Sequence, residues 1–175
     1  VLISDIDTKL TNEELIKKSD IVIFSVPLHL STGIILKCIK FLREDQMVCD
    51  FTSLKSEQVK AMLKSKAEVI GMHPMLGPSI LSPKKQIILY SPARTVIEKE
   101  FVKFIKSFGF VMEKIDPKKH DKLMSIVQVL IHFKAIVVGK ALENLKIDIK
   151  DTLKVASPNY QMELAMIGRI FAQDA

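Results

Sequence analysis

The chain has 175 residues, 48% hydrophobic and 26% charged, which is the composition of a folded protein long enough to bury a core and excludes a disordered chain. Its formal charge of +6 comes from lysines scattered along the sequence, with no run of like charge and no interleaved aromatics; this argues against nucleic-acid binding and for a solvated basic surface or an anionic substrate. Cys38 and Cys49 form neither a C-x-x-C pair nor a metal-ligand spacing, so they read as buried free thiols of a reducing, cytoplasmic compartment, with no metal site.

Val1 to Asp5 reads as a strand already in progress where the sequence begins. Thr11 to Lys18 has a capping residue, an acidic first turn and terminal lysines, the marks of a short helix. Asp20 to Pro27 is a continuous apolar run, suited to a strand buried on both faces of a parallel sheet. A helix over Ser31 to Leu42, a strand over Met47 to Phe51, a helix over Ser56 to Lys66 and a strand over Glu68 to His73 follow. Beyond a Gly/Pro loop come a strand over Gln86 to Tyr90, a helix over Thr95 to Phe108 stopped by Gly109, and a strand over Phe110 to Ile115. Strands alternating with helices predict right-handed βαβ units, hence a Rossmann-like α/β fold with a doubly wound parallel sheet.

At Asp116-Pro117 the alternation stops, and the rest is helical: one long helix to about Glu143, a short one near Ile149 to Val155, and a third from Pro158. Two domains are therefore expected, a sheet domain over 1–116 and the start of an all-helical domain over 117–175. The most apolar segment, Ile126 to Leu142, is interrupted by His132, Lys134 and Lys140. It reads as a buried helix too short and too polar to span a bilayer, and no secretory signal opens the chain.

Three strands deliver polar residues to one edge of this sheet: Ser25-Val26-Pro27, then Asp50 with Ser53 and Lys55, then His73-Pro74. Ligands bind at that edge in open α/β sheets. His73, at the strand-to-loop junction of Gly71-Met72-His73-Pro74-Met75-Leu76-Gly77-Pro78, is either a general base or a polar residue capping a turn.

Taken together, SVP, D-x-x-S-x-K, G-x-HPM-x-GP, His120-Asp121 with Gln128 and His132-Phe133, and Glu163-Leu164-Ala165-Met166-Ile167-Gly168-Arg169 with Phe171-Ala172-Gln173-Asp174 closely resemble the prephenate dehydrogenase family. The similarity is nearest to the dehydrogenase part of bifunctional chorismate mutase/prephenate dehydrogenases of tyrosine biosynthesis. The resemblance implies oxidative decarboxylation of prephenate to 4-hydroxyphenylpyruvate with NAD as cofactor, and a homodimer in the full-length protein built largely by helices beyond Ala175. It implies His73 as the base and Ser53 as its catalytic neighbour. Arg169 would bind a substrate carboxylate, and Lys55, His120, Gln128 and His132 would line the substrate site, His132 standing four residues after Gln128 on one helix face. From the residues alone, His120-Asp121 reads equally as a helix cap and first-turn acid, His132 as a core histidine, and Arg169 as a partner of Glu163 or Asp174. Arogenate is the alternative substrate, and a non-catalytic binding module the alternative role.

Two departures from the family pattern stand out. Gln161 occupies a position that is basic in some relatives, and no G-x-G-x-x-G turn is present. Aligned back from Ser25-Val26-Pro27, Val1 to Ser4 becomes the family's second strand, the sheet is incomplete, and Asp5 falls where an acid contacts the adenosine ribose. Cofactor contacts then rest on Asp5, Ser25, Val26 and Pro27. The 175-residue polypeptide is expected neither to bind NAD tightly nor to turn over by itself.

Overall fold

The structure is a computed structural model that describes residues 1–77 and 80–173; Pro78 of the histidine loop and Asp174 of the last motif lie outside the described residues. The chain divides into two compact units, Val1–Lys122 and Leu123–Ala175.

In the first unit, α1 (Asn12–Lys17) is closed by a full capping box between Thr11 and Glu14. It is followed by β1 (Ile21–Phe24), α2 (Leu28–Cys38), β2 (Met47–Asp50), α3 (Ser56–Met62), β3 (Glu68–Pro74), β4 (Ile87–Arg94), α4 (Glu98–Ser107) and β5 (Val111–Lys114). The five strands lie in chain order, β1 to β5. Two of the three inner strands are buried on both faces, β2 throughout and β3 from Val69 to His73, as continuous apolar runs require. Alternate residues feed two cores. Val22, Phe24, Val48 and Val69 pack with Ile16, Ile35, Val59 and Met62 on one face, while Met47, Cys49, Ile70 and Met72 pack with Ile88, Tyr90, Phe101 and Met112 on the other.

Two expectations fail here. First, β3 and β4 pair antiparallel, with His73 opposite Leu89, while the other three pairings are parallel. A parallel return is usually made through a crossover helix, and the span between Pro74 and Ile87 forms none among its described residues, so the chain doubles back. Second, Val1 to Asp5 forms no strand. Its polar groups are met locally: the Ser4 hydroxyl donates to the Leu10 carbonyl at 2.8 Å, and the Asp5 amide to the Thr8 hydroxyl at 2.8 Å. Without a ladder partner an extended segment stays coil.

One continuous helix, Pro117–Leu145, starts in the first unit and supplies the first helical segment of the second from Leu123 on. It comprises α5 (Pro117–Met124), a π-helical stretch (Ser125–Leu130) and α6 (Ile131–Leu145), followed by α7 (Ile149–Lys154) and α8 (Pro158–Gln173). α6 packs on α8 through Ala135, Ile167 and Ile170. The expected buried helix is instead largely exposed: only 11% of its most apolar window is covered, and by length and composition it could cross a bilayer. The apolar run over Ile126 to Leu142 suits burial, but α8 covers only one side of α6.

Candidate active site

In the parallel part of the sheet Phe24, Asp50 and Gly71 stand in register. The residues just beyond them therefore emerge at one edge: Ser25 after β1, Thr52 to Lys55 after β2, and His73 two residues past Gly71. His73 is buried, and its Nδ1 lies 2.9 Å from Nε2 of His120. The two rings meet edge to face, with centroids 5.1 Å apart. His120 is fully buried, and its Nδ1 lies 2.9 Å from the Asp121 carboxylate. Asp121 in turn accepts the amides of Lys55 at 2.7 Å and Ser56 at 2.9 Å. It thus caps α3, whose own N-cap residue, Lys55, offers no side-chain bond.

This chain of bonds sets the tautomers. An ionised Asp121 is an acceptor only, so His120 donates from Nδ1; His120 Nε2 then accepts, and His73 donates from Nδ1. His73 therefore carries its basic lone pair on Nε2. Burial pushes the His73 pKa down to about 4, reinforced by His120 and Lys55 and opposed by Asp121. The ring is neutral at pH 7, as a proton acceptor must be. Burial alone would raise the Asp121 carboxyl, but its bonds from Ser56, His120 and Lys55 outweigh that and hold it below the usual range.

Lys55 is not where the sequence places it. Its side chain is fully buried and ion-paired to the equally buried Asp50; its ammonium also donates to the Met72 carbonyl at 2.7 Å and lies 3.5 Å from the Thr52 hydroxyl. Three partners saturate three donors, so no N–H remains for a substrate. Burial pushes Asp50 up and Lys55 down, each toward its neutral form. His120 is likewise withdrawn from substrate contact, since both ring nitrogens are already bonded within the protein. Ser53 is half-buried in the loop before α3, and its hydroxyl makes no hydrogen bond among the described residues.

In the helical unit, Gln128 lies half-buried in the π-helical stretch, a distortion frequent at functional sites. The wider turn there weakens the same-face argument, which assumed α-helical spacing. His132 is exposed rather than a core histidine. Arg169 is exposed on α8, and Glu163, one of its expected partners, pairs with Lys134 at 2.8 Å instead.

Asp5, Ser25 and Val26 line an open cleft of about 1030 Å³ beside β1, with Thr8, Ile21 and Phe51; Pro27 is not among its walls and serves as N-cap of α2. Carboxylate, hydroxyls and apolar walls fit a ribose and a ring. The pyrophosphate of a dinucleotide finds no match: the N-terminus of α1, which also lines the cleft, is already capped by Thr11 and carries the acid Glu14.

Asp121, Asp50 and Thr52 are site residues whose roles the sequence does not show, Asp50 standing out there only as a strand end and Asp121 as a first-turn acid. The D-x-T-x-x-K spacing and the His-Asp pair were their only signals.

The description "Prephenate dehydrogenase, nucleotide-binding domain" belongs to a family profile that matches residues 4–97, and "Prephenate dehydrogenase, dimerization domain" to one that matches 116–174. The chain is 38% identical over 170 residues to a probable arogenate/prephenate dehydrogenase of Methanocaldococcus jannaschii, covering 93% of this chain and 38% of that protein. It is 35% identical over 165 residues to the T-protein of Haemophilus influenzae, covering 93% of this chain and 44% of that protein. It thus spans about two fifths of the length of these curated relatives. The fold matches the crystal structure of prephenate dehydrogenase from Aquifex aeolicus in complex with hydroxyphenyl propionate and NAD+, with TM-score 0.68 and 22% identity over 88% of this chain and 60% of that one. With the two profiles spanning most of its length, this chain belongs to the prephenate dehydrogenase family, and its sheet unit carries the family's nucleotide-binding domain.

Proposed function

We propose that the chain supplies the proton-accepting side of an NAD-dependent prephenate dehydrogenase. The observation that carries this reading is the bonded series Asp121, His120, His73, which leaves a neutral histidine with its basic nitrogen at the carboxyl edge of the sheet. NAD, when bound, would supply the hydride acceptor for the ring carbon bearing the hydroxyl. His73 Nε2 takes the hydroxyl proton as the carbonyl forms, and loss of carbon dioxide makes the ring aromatic. Positive charge then developing on His73 is offset through His120 by the Asp121 carboxylate, so the buried imidazolium is not left uncompensated. Ser53 would hold the hydroxyl beside His73, and Arg169, with its planar fork, would take a substrate carboxylate, Gln128 and His132 offering further polar contacts. Asp5, Ser25 and Val26 would hold the ribose and ring ends of the cofactor. Two buried free cysteines suit a reducing, cytoplasmic setting, and the match to a dimerization domain within 116–174 supports a homodimer whose contacts begin inside this chain.

Replacing His73 by Asn in the full-length protein is expected to lower kcat by roughly a hundredfold or more with cofactor affinity little changed. A near-normal kcat would remove His73 from this role. Parallel assays with prephenate and arogenate decide the substrate, since the His73 chemistry serves the ring that both share.

A further inference from the structure

We propose that Lys55 is a positioning residue that fixes both members of the histidine pair, and not a ligand of the substrate. Its ammonium grips the Met72 carbonyl at 2.7 Å, which belongs to the peptide that leads into His73. Its amide donates to Asp121 at 2.7 Å, and Asp121 orients His120. One residue thus ties β3, from which His73 projects, to α5, from which His120 projects.

The packing is shaped around this tie. A Cβ on Gly71 would lie 2.7 Å from Val59 Cγ2, 3.2 Å from Lys55 Cδ and 3.5 Å from Asp50 Oδ1, so the lysine stem crosses β3 where a side chain would otherwise stand. The arrangement is not explained by stability. A buried ion pair is often no better than an apolar pair of the same volume, and here Asp50 Oδ1 has no hydrogen-bond partner among the described residues. What the pair provides is a fixed direction for the peptide before His73.

The kinetic arm of the test rests on His73 being the base; the spectroscopic arm does not. Lys55→Met combined with Asp50→Asn removes both charges without stranding either one. In this chain, nitrogen-resolved NMR of the His73 ring should show the Nδ1–H tautomer in the parent. In the double variant that tautomer should give way to a mixture. The His73 titration should also move up, because Lys55 is lost while His120 and Asp121 still face the ring. In the full-length protein kcat should fall roughly tenfold or more, with KM for the substrate within about twofold. An unchanged tautomer, or a raised KM at unchanged kcat, overturns the proposal. Should the double variant not fold, Gly71→Ala, whose Cβ would press on Val59 Cγ2 and Lys55 Cδ, disturbs the lysine stem with every charge retained; its tautomer and kcat are read as above, and its titration is not. If the tautomer shifts while His73→Asn leaves kcat intact, the positioning role stands and the catalytic assignment of His73 falls.

Discussion

The sheet unit and the helical unit bury their apolar residues to very different extents. In Val1–Lys122 two cores fill both faces of the sheet, and the buried Lys55, His73 and His120 each have bonded partners within the unit. In Leu123–Ala175 the core is Ala135, Ile167 and Ile170 with a few half-buried neighbours, while Ile126, Val127, Leu130, Phe133 and Val137 stand exposed. Scattered exposed apolar residues are ordinary, but a helix face of them marks a surface that another surface covers. The first unit meets its hydrophobic pattern within the chain; the second leaves an apolar helix face exposed, in the stretch that matches the dimerization-domain profile.

The sharpest way to break this comparison is to charge the exposed face. Phe133, 63% exposed in the single chain, becomes a buried aromatic contact if a second copy covers it. Phe133→Asp in the full-length protein should then weaken dimerisation by roughly 2 to 4 kcal/mol, read by sedimentation across a concentration series. Unchanged association would place the contact elsewhere.

Acid should single out the sheet unit. Folded His73 titrates at about 4, below the unfolded value of about 6.5, so the unfolded chain binds the proton first. His73 therefore contributes stability that is complete above about pH 6.5 and is lost as pH falls toward 4, on the order of 3 kcal/mol. Urea titrations across that window should show the slope, and His73→Gln should flatten it. A variant as acid-sensitive as the parent would trace the loss to other groups.

Arg169 is the next smaller effect. Exposed on α8, it should contribute a charge-assisted bond to a carboxylate of roughly 1.5 to 3 kcal/mol. Arg169→Ala should raise the substrate KM roughly ten- to a hundredfold while stability barely changes. An unaltered KM would make it a surface charge.

The sequence showed the strands and helices of the sheet unit well because its periodicities are met inside the chain. The antiparallel β4 is legible in the lack of any helical pattern between His73 and Gln86, but the strand-helix alternation on either side of it points to a parallel strand. The site was half legible. His73 announced itself through its Gly/Pro loop, but its bond to His120 joins residues 47 positions apart, and no local pattern carries such a distance. Lys55 misled because lysine is almost never fully buried unless paired, and the pairing Asp50 looked like an ordinary strand end. In the helical unit, composition marked Ile126 to Leu142 as apolar but could not say whether the same chain or another would cover it.

The smallest prediction isolates packing from chemistry. Thr11 caps α1 and Asp148 caps α7, each accepting a backbone amide with its side chain, and both helices have six residues. Losing either cap costs about 1 kcal/mol in the helix itself. α1, however, seats the fully buried Ile16 in the sheet core, so fraying its first turn disturbs packed residues and Thr11→Ala should lower the global unfolding free energy by nearly the full amount. α7 buries no residue; its opening is local, and Asp148→Ala should leave the global transition almost unmoved while amide exchange quickens over Ile149–Lys154 alone. Equal shifts in global stability from the two substitutions would mean that α7 is packed as firmly as α1, and the contrast between the units would not extend to their short helices.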